Sequence, residues 1–435
     1  MSSEMLGALV FVLMMLLMFL GMPVWLSMLL PGVVCIAIIS GVQQAFSVIA
    51  INAHSMARDY NFAVLPVFLL LGEFAEISGM MSAAFNSLNT LTGRIRGGLA
   101  MASILGAGAF SCVSGSSMAC SAIMTKIALP KLIDHKYDPK LATGALTAGG
   151  TLGNLIPPGT VLVIYCILTE VSLGKLFIAC YIPGFLLAIM YLIQIYTQCV
   201  LNPSLGPSAG GSTWKAKLFA LGGMVPVVAA LVIILGGIQL GVFTPNEAAS
   251  VCTVLAFAYA LVRRTLSGQN ILQSFKNTLV TTGMIFIIII SANVFNVFIA
   301  LSGLPQAIAT WLLDLNMSSL GLVIVIMVIY AILGLPMSVI AVLVLTMPIL
   351  LPLLVTYNID LVWFGVLAIT QCELANITPP IGTNLFVVAQ MAKPYGISMG
   401  TVFKGSIPFC ITCVVFLILL IAFPEISLFL VTQMR

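Results

Sequence analysis

Charge is what this chain has least of. Asp, Glu, Lys and Arg together make up 6% of the residues, against about 25% in a soluble globular domain, which excludes a soluble protein. No hydrophilic stretch is long enough for a separate soluble domain, and no ATP-binding motif is present. Histidine is almost missing: His54 and His135 are the 2 in the chain, too few and too far apart for a zinc centre. The 10 cysteines are scattered in apolar runs, where buried thiols are expected rather than disulfides or a metal site. An intramembrane enzyme would need a nucleophile beside a base, or a metal cluster, and these residues do not supply one. The net charge of +4 says little about partners and nothing points to nucleic acid, because in a membrane protein the distribution of charge matters more than its sum.

What is present is apolar sequence, 61% of the chain, with a mean hydropathy of +1.21. Hydrocarbon about 30 Å thick takes about 20 helical residues at 1.5 Å each, and the chain holds many such runs. The expected fold is therefore an all-α polytopic membrane protein. The first run, from Met5, lacks the basic start and small-residue cleavage site of a signal peptide, so it is expected to stay in the mature protein.

The chain is organised around residues 109–160. A polar break, Ser114-Gly115-Ser116-Ser117, interrupts one apolar run, and Pro157-Pro158 interrupts the next. Backbone groups in hydrocarbon cannot be left unpaired, so such breaks belong where they are buried in protein or line a polar cavity. The pattern returns 222 positions later: Pro130, Asn154, Pro157 and Pro158 match Pro352, Asn376, Pro379 and Pro380, and Ser116, Asp138 and Pro23 match Ser338, Asp360 and Pro245. The chain reads as a duplication.

The first repeat, 1–201, is expected to hold scaffold helices in 1–96, a hairpin over 98–130, a broken helix over 141–169 and a final helix over 173–200. After a linker, 202–213, the second repeat, 214–435, holds scaffold helices in 214–302, a hairpin over 318–352, a broken helix over 361–391 and a final helix over 402–423. Residues 41–61 are expected to be a moderately polar connection, 81–96 a helix on the membrane surface, 304–316 a second surface strip, and 279–301 a crossing. Residues 98–112 give about 22 Å of helix, too short to cross, so a re-entrant hairpin is favoured over one tilted, kinked crossing. Five crossings between the hairpins make the repeats inverted. If the first hairpin opens to the cytoplasm, all of the 16 Lys and Arg except Arg58, Lys175 and Arg435 fall inside, as the positive-inside rule requires. Both termini then face outward.

Inverted repeats with discontinuous helices meeting near mid-membrane form the architecture of secondary transporters. Unwound carbonyls and hydroxyls can replace the water of Na⁺, and half-helix N-termini attract an anion. The candidate Na⁺ ligands are Ser114, Gly115 and Ser116 with Gly150 and Asn154, and Gly334, Pro336 and Ser338 with Asn376, Thr378 and Gly382. The candidate substrate contacts are Ser116, Ser117 and Ser338, with Pro157, Pro158, Pro379 and Pro380 at the breaks. Glu373 is a further candidate for an ion or proton, against a helix-stabilising carboxylate paired with a basic side chain. Glu73 and Glu76 read as structural. A channel remains an alternative class, distinguished by indifference to a coupling gradient.

Over essentially its whole length the sequence resembles the large permease subunit of tripartite ATP-independent periplasmic (TRAP) transporters. The resemblance rests on Leu20-Gly21-Met22-Pro23, Gly72-Glu73, Gly97-Gly98-Leu99-Ala100, Ser114-Gly115-Ser116-Ser117-Met118-Ala119, Tyr137-Asp138, Pro157-Pro158, Pro183-Gly184, Thr244-Pro245-Asn246-Glu247-Ala248 and Thr378-Pro379-Pro380-Ile381-Gly382. Asn246 and Gly159 depart from the family, which often has a hydroxyl residue there. The resemblance implies an elevator-type, Na⁺-coupled importer of organic acids in a bacterial inner membrane, with no cofactor. It also implies a small four-helix membrane subunit and a periplasmic substrate-binding protein as partners. Sialic acid is slightly favoured as substrate over C4-dicarboxylates and 2-oxo acids. A stand-alone Na⁺/dicarboxylate symporter of similar architecture is the alternative.

Overall fold

A computed structural model describes residues 3–208, 213–314 and 317–433. Positions 1–2, the loop positions 209–212, positions 315–316 of the second surface strip, and 434–435, hence Arg435, lie outside the described residues. All regular structure among the described residues is helical. In the first half α1 (Ser3–Phe19), α2 (Val24–Ser40), α3 (Val42–Arg58), α4 (Val64–Ser78) and α5 (Met80–Thr92) precede the hairpin of α6 (Gly98–Ser114) and α7 (Ser117–Asp134). The broken helix is α8 (Pro139–Leu155) with α9 (Thr160–Thr169), and α10 (Leu173–Leu201) follows. In the second half α11 (Trp214–Leu221), α12 (Val225–Leu231) and α13 (Gly237–Gln239) make one irregular stretch, whose part Phe219–Gln239 is long and apolar enough to cross. Then come α14 (Pro245–Val262), α15 (Gly268–Ser302), α16 (Leu304–Asp314), the hairpin of α17 (Ser319–Gly334) and α18 (Val339–Thr356), the broken helix of α19 (Leu361–Ile377) and α20 (Thr383–Ala392), α21 (Met399–Ala422) and a short α22 (Glu425–Leu428).

The residues that repeat at 222 positions are helix punctuation. Ser116 and Ser338 are the N-caps of α7 and α18, accepting from the backbone N–H of Ala119 at 3.4 Å and Ala341 at 3.3 Å. Asp138 and Asp360 cap α8 and α19 in the same way. Such caps satisfy N–H groups that have no partner inside the helix. Thr244 and Glu247 form a capping box at α14, with Pro245 at its first position.

Each hairpin folds back on itself. In the second, the Tyr330 hydroxyl and Thr346 Oγ1 are 2.7 Å apart, and Ser319 Oγ donates to the Tyr357 carbonyl at 3.2 Å, so α17 and α18 run antiparallel along their length. In the first, Gly106 faces Met124, whose Cε would lie 2.9 Å from a Cβ on the glycine. The chain turns sharply between α4 and α5, by 65°, and between α8 and α9, by 40°. Among the described residues six helices are long and apolar enough to cross a membrane alone, and up to eight spans result if each bent pair counts as one.

The moderately polar connection expected over 41–61 is itself mostly helical: residues 42–58 form α3. Its polar groups Gln43, Gln44, His54 and Arg58 are exposed while Ala45, Val48 and Met56 are buried, so a one-sided stripe, rather than overall apolarity, forms it. In the second half the positions equivalent to α3 and α4 merge into the single 35-residue α15, about 52 Å long. The crossing expected over 279–301 therefore starts earlier, at Gly268.

The two inverted repeats interlock. The second arm of each hairpin packs on the far half of the other repeat's broken helix, α7 on α20 and α18 on α9. Likewise α21 packs on α8 and α10 on α19, while α14 packs on α4 and α2 on α15. Packing also gathers the basic loops at one end: Gly97 N–H donates to the Gly206 carbonyl at 3.0 Å and Asp138 N–H to Leu205 at 2.9 Å, beside Arg94, Arg96, Lys136 and Lys140. Near Arg58, at the opposite end, Asn246 Nδ2 donates to the Tyr60 carbonyl at 2.9 Å.

Helices α8 and α21 meet at bare backbone. A Cβ on Gly405 would lie 2.2 Å from the Lys140 carbonyl oxygen, and one on Gly144 would lie 2.2 Å from that of Gly405. Gly405→Val is expected to destabilise the permease by about 2 kcal/mol, the cost of forcing backbone apart. Gly283→Val, which meets nothing within 4 Å, serves as the control. Thermal unfolding in detergent checks this, and equal midpoints for the two variants would contradict it.

Candidate ion and substrate site

Glu373 on α19 sits where the repeats meet, and it is 1% exposed. Ser117 Oγ, at the start of α7, donates to its Oε2 at 2.7 Å, and Asn154 Nδ2, near the end of α8, donates to its Oε1 at 2.5 Å. Asn384 Nδ2, on α20, donates to Ser117 Oγ at 2.7 Å. One carboxylate of the second repeat thus fastens a hairpin tip and a broken helix of the first. Its partners are neutral donors, not the basic side chain that a structural pairing would use. The position equivalent to Glu373 in the first repeat is Thr151, which donates to the Ala148 carbonyl at 2.7 Å and meets the Tyr191 hydroxyl at 3.2 Å.

Beside this carboxylate lie three buried oxygens, Asn154 Oδ1, Asn384 Oδ1 and Ser121 Oγ, with no hydrogen-bond partner. Gly150 makes room for them: a Cβ there would lie 1.8 Å from Ser121 Oγ and 3.0 Å from Asn384 Nδ2. An unpartnered buried polar group costs about 1–3 kcal/mol, so several acceptors around a carboxylate are a donor set that suits a small hard cation. The sequence reading named Gly150, Asn154 and Glu373 but missed Ser121 and Asn384. Asn384 carried a signal, an amide at the start of the apolar half-helix after the second break.

The rest of the first tip is closed. Gly115, left-handed at φ 58°, accepts through its carbonyl from both Thr160 N–H at 3.0 Å and Thr160 Oγ1 at 2.9 Å. That carbonyl ties the tip to α9. Ser114 Oγ accepts from Ser116 N–H at 3.5 Å. Pro157, Pro158 and Gly159 are all buried, and a Cβ on Gly115 would lie 2.4 Å from the Pro158 carbonyl.

The second tip is more open. Pro336 and Ser338 are exposed, as are Pro380 and Ile381, while Thr378 and Pro379 are half-buried. Gly334 closes α17 against α19, where a Cβ would lie 2.7 Å from that of Ala375. Asn376 Oδ1 accepts from Thr383 Oγ1 at 3.0 Å, Thr378 Oγ1 donates to the Leu374 carbonyl at 2.6 Å, and Gly382 N–H donates to the Thr378 carbonyl at 3.2 Å. Next to this break lies Cys410-Ile411-Thr412-Cys413, a C-x-x-C that the reading of scattered thiols passes over. Both cysteines are free, and Cys410 Sγ donates to the Ile377 carbonyl at 3.2 Å.

Known proteins share both the fold and the sequence. Among solved structures, the YdaH transporter of Alcanivorax borkumensis superposes with a TM-score of 0.66 at 16% identity, covering 89% of each chain. The efflux pump MtrF of Neisseria gonorrhoeae superposes at 0.59 with 17% identity over 89% of this chain and 85% of its own. By sequence the chain is 34% identical to the C4-dicarboxylate TRAP transporter large permease of Pseudomonas aeruginosa, covering 87% of this chain and 88% of that one. It is 30% identical to the sialic acid TRAP transporter large permease of Vibrio cholerae, covering 95% and 96%. The family model of the tripartite ATP-independent periplasmic transporter DctM component matches residues 11–426. The chain therefore belongs to the large permease components of TRAP transporters, multi-pass proteins of the bacterial inner membrane that transport organic acids.

Proposed function

We propose that this permease couples import of an organic acid to Na⁺ by an elevator movement of its interlocked hairpins and broken helices. The observation that carries the coupling is the set of acceptors without donors, Asn154 Oδ1, Asn384 Oδ1 and Ser121 Oγ, around the Glu373 carboxylate. These oxygens suit Na⁺, and the negative charge of Glu373 offsets that of the ion. In the second half Asn376, Thr378 and Gly382, with Gly334, Pro336 and Ser338 at the tip, form the matching candidate site. The exposed tip at Ser338 and the N-terminus of α7 at Ser116-Ser117 face the substrate carboxylate, with the double prolines beside them. Helices α6–α10 and α17–α21 form the moving part; α1–α5 and α11–α16 form the scaffold, against which a small four-helix subunit packs. A periplasmic binding protein delivers the substrate.

Named relatives transport C4-dicarboxylates or sialic acid, so both head the substrates to test, followed by 2-oxo acids. The alternative is a stand-alone symporter. Uptake of radiolabelled acids into proteoliposomes, with and without the small subunit and binding protein, separates the two: the tripartite reading predicts uptake only with every component present.

Glu373→Gln keeps the shape and removes the charge. It is expected to raise the Na⁺ concentration for half-maximal uptake about tenfold, equivalent to 1.4 kcal/mol, with unfolding shifted little. Unchanged Na⁺ dependence would make Glu373 a purely structural link. Ser116→Ala and Thr378→Ala probe the two halves separately, and each is expected to raise the same Na⁺ requirement. If both leave it at the wild-type value, the hairpin tip and the second break do not contribute to ion binding.

A further inference from the structure

Behind the second break runs a groove that, apart from Thr378 and Pro379 at its end, has no part in the transport cycle described above. Its volume is 1110 Å³, and it is lined by α17 from Leu320 to Leu335, by α21 from Ile407 to Ala422, and by one face of α19 ending at Thr378 and Pro379. Glu373 and Asn376 lie on the opposite side of α19, so the groove is separate from the junction around Glu373 and meets the second break only at its end, at Thr378 and Pro379. Its walls belong to the apolar outer surface: Ile324, Val328 and Ile332 of α17 and Ile411, Val415 and Ile418 of α21 are all exposed. Each wall covers about 22 Å of helix. The groove therefore reaches from the outer face past the middle of a hydrocarbon core about 30 Å thick.

We propose that this groove holds the acyl chains of an outer-leaflet phospholipid with a zwitterionic, amine-bearing headgroup. The groove opens onto the lipid-facing surface, is long enough for the acyl chains of one leaflet, and offers almost only carbon. An unfilled space of this size in hydrocarbon would forfeit dispersion contacts along both walls. The headgroup assignment follows from charge. Asp360 caps α19 beside Trp363, whose Nε1 donates to the Leu420 carbonyl of α21 at 2.9 Å, and Glu425 opens α22 just past Ala422. No Lys or Arg occurs between Lys276 and Lys393 or between Lys404 and Arg435, so the mouth favours an amine and disfavours a purely anionic lipid. Gln371 is the exception in the lining. It is 4% exposed and lines the groove.

The test is native mass spectrometry of purified permease, exchanged into detergent with ethanolamine- or glycerol-headgroup phospholipid of identical chains. Wild type is expected to retain a phospholipid whose occupancy falls about tenfold in Ala331→Trp, which fills the groove. Ile38→Trp, on the lipid-facing surface of α2, should leave occupancy unchanged. Gln371→Leu should retain the lipid as well as or better than wild type, and Asp360→Asn with Glu425→Gln should abolish the preference for ethanolamine. Equal occupancy in Ala331→Trp and Ile38→Trp would reduce the groove to ordinary lipid-facing surface and overturn the proposal. Loss of the bound species in Gln371→Leu would overturn it differently, by showing an occupant held through a polar group at Gln371 rather than through acyl chains.

Discussion

A helix broken inside hydrocarbon must find partners for its freed polar groups within the protein, and the rest of this structure depends on how that is done. In the first half most of it is done by side chains from other helices, and the oxygens left over are Asn154 Oδ1 and Ser121 Oγ. The Gly115 carbonyl takes both donors of Thr160, and Ser117 and Asn154 donate hydrogen bonds to Glu373. The break is sealed by a carboxylate from the other repeat, so neither repeat could form this centre alone.

Symmetry supplies the frame and its local failure supplies the site. The interlocked packing of α7 on α20 and α18 on α9 obeys the repeat, and so do the caps at Ser116 and Ser338. Glu373 does not, because its equivalent, Thr151, turns instead to Tyr191. One tip is closed and the other open, with Pro336, Ser338 and Pro380 exposed. A transporter that must hold an ion tightly at one place and admit a substrate at another can use such a difference. The apolar groove behind Thr378 and Pro379 places lipid against the looser of the two breaks.

What the sequence made legible was whatever is decided locally. The duplication showed because its matched residues, Ser116 with Ser338, Asp138 with Asp360 and the two double prolines, start and stop helices through neighbouring backbone. The helix α3 was hidden because its residues are polar on one side, and average polarity masks a period. The junction was only half legible. Glu373 could be suspected as a carboxylate in hydrocarbon, but Ser117 lies 256 positions away and Asn154 lies 219 away, and nothing local joins them. Asn384 and Ser121 went unnamed because an isolated amide or hydroxyl in an apolar run usually turns to its own helix. The contact of the Gly115 carbonyl with Thr160 is not legible either, because Thr160 belongs to a different helix.

The central claim is that the junction of Glu373, Asn154, Asn384 and Ser121 binds the coupling ion. Equilibrium binding of radioactive sodium to the purified permease tests it most directly, comparing wild type with Asn384→Leu, which replaces an amide and its unpartnered oxygen by an apolar side chain of similar size. Saturable binding in wild type, displaced by unlabelled Na⁺ but not by choline and weakened in Asn384→Leu, is the predicted result. Binding of equal strength in the variant, or none in a wild-type protein that transports, would place the ion elsewhere and leave the junction as a structural bond between the repeats.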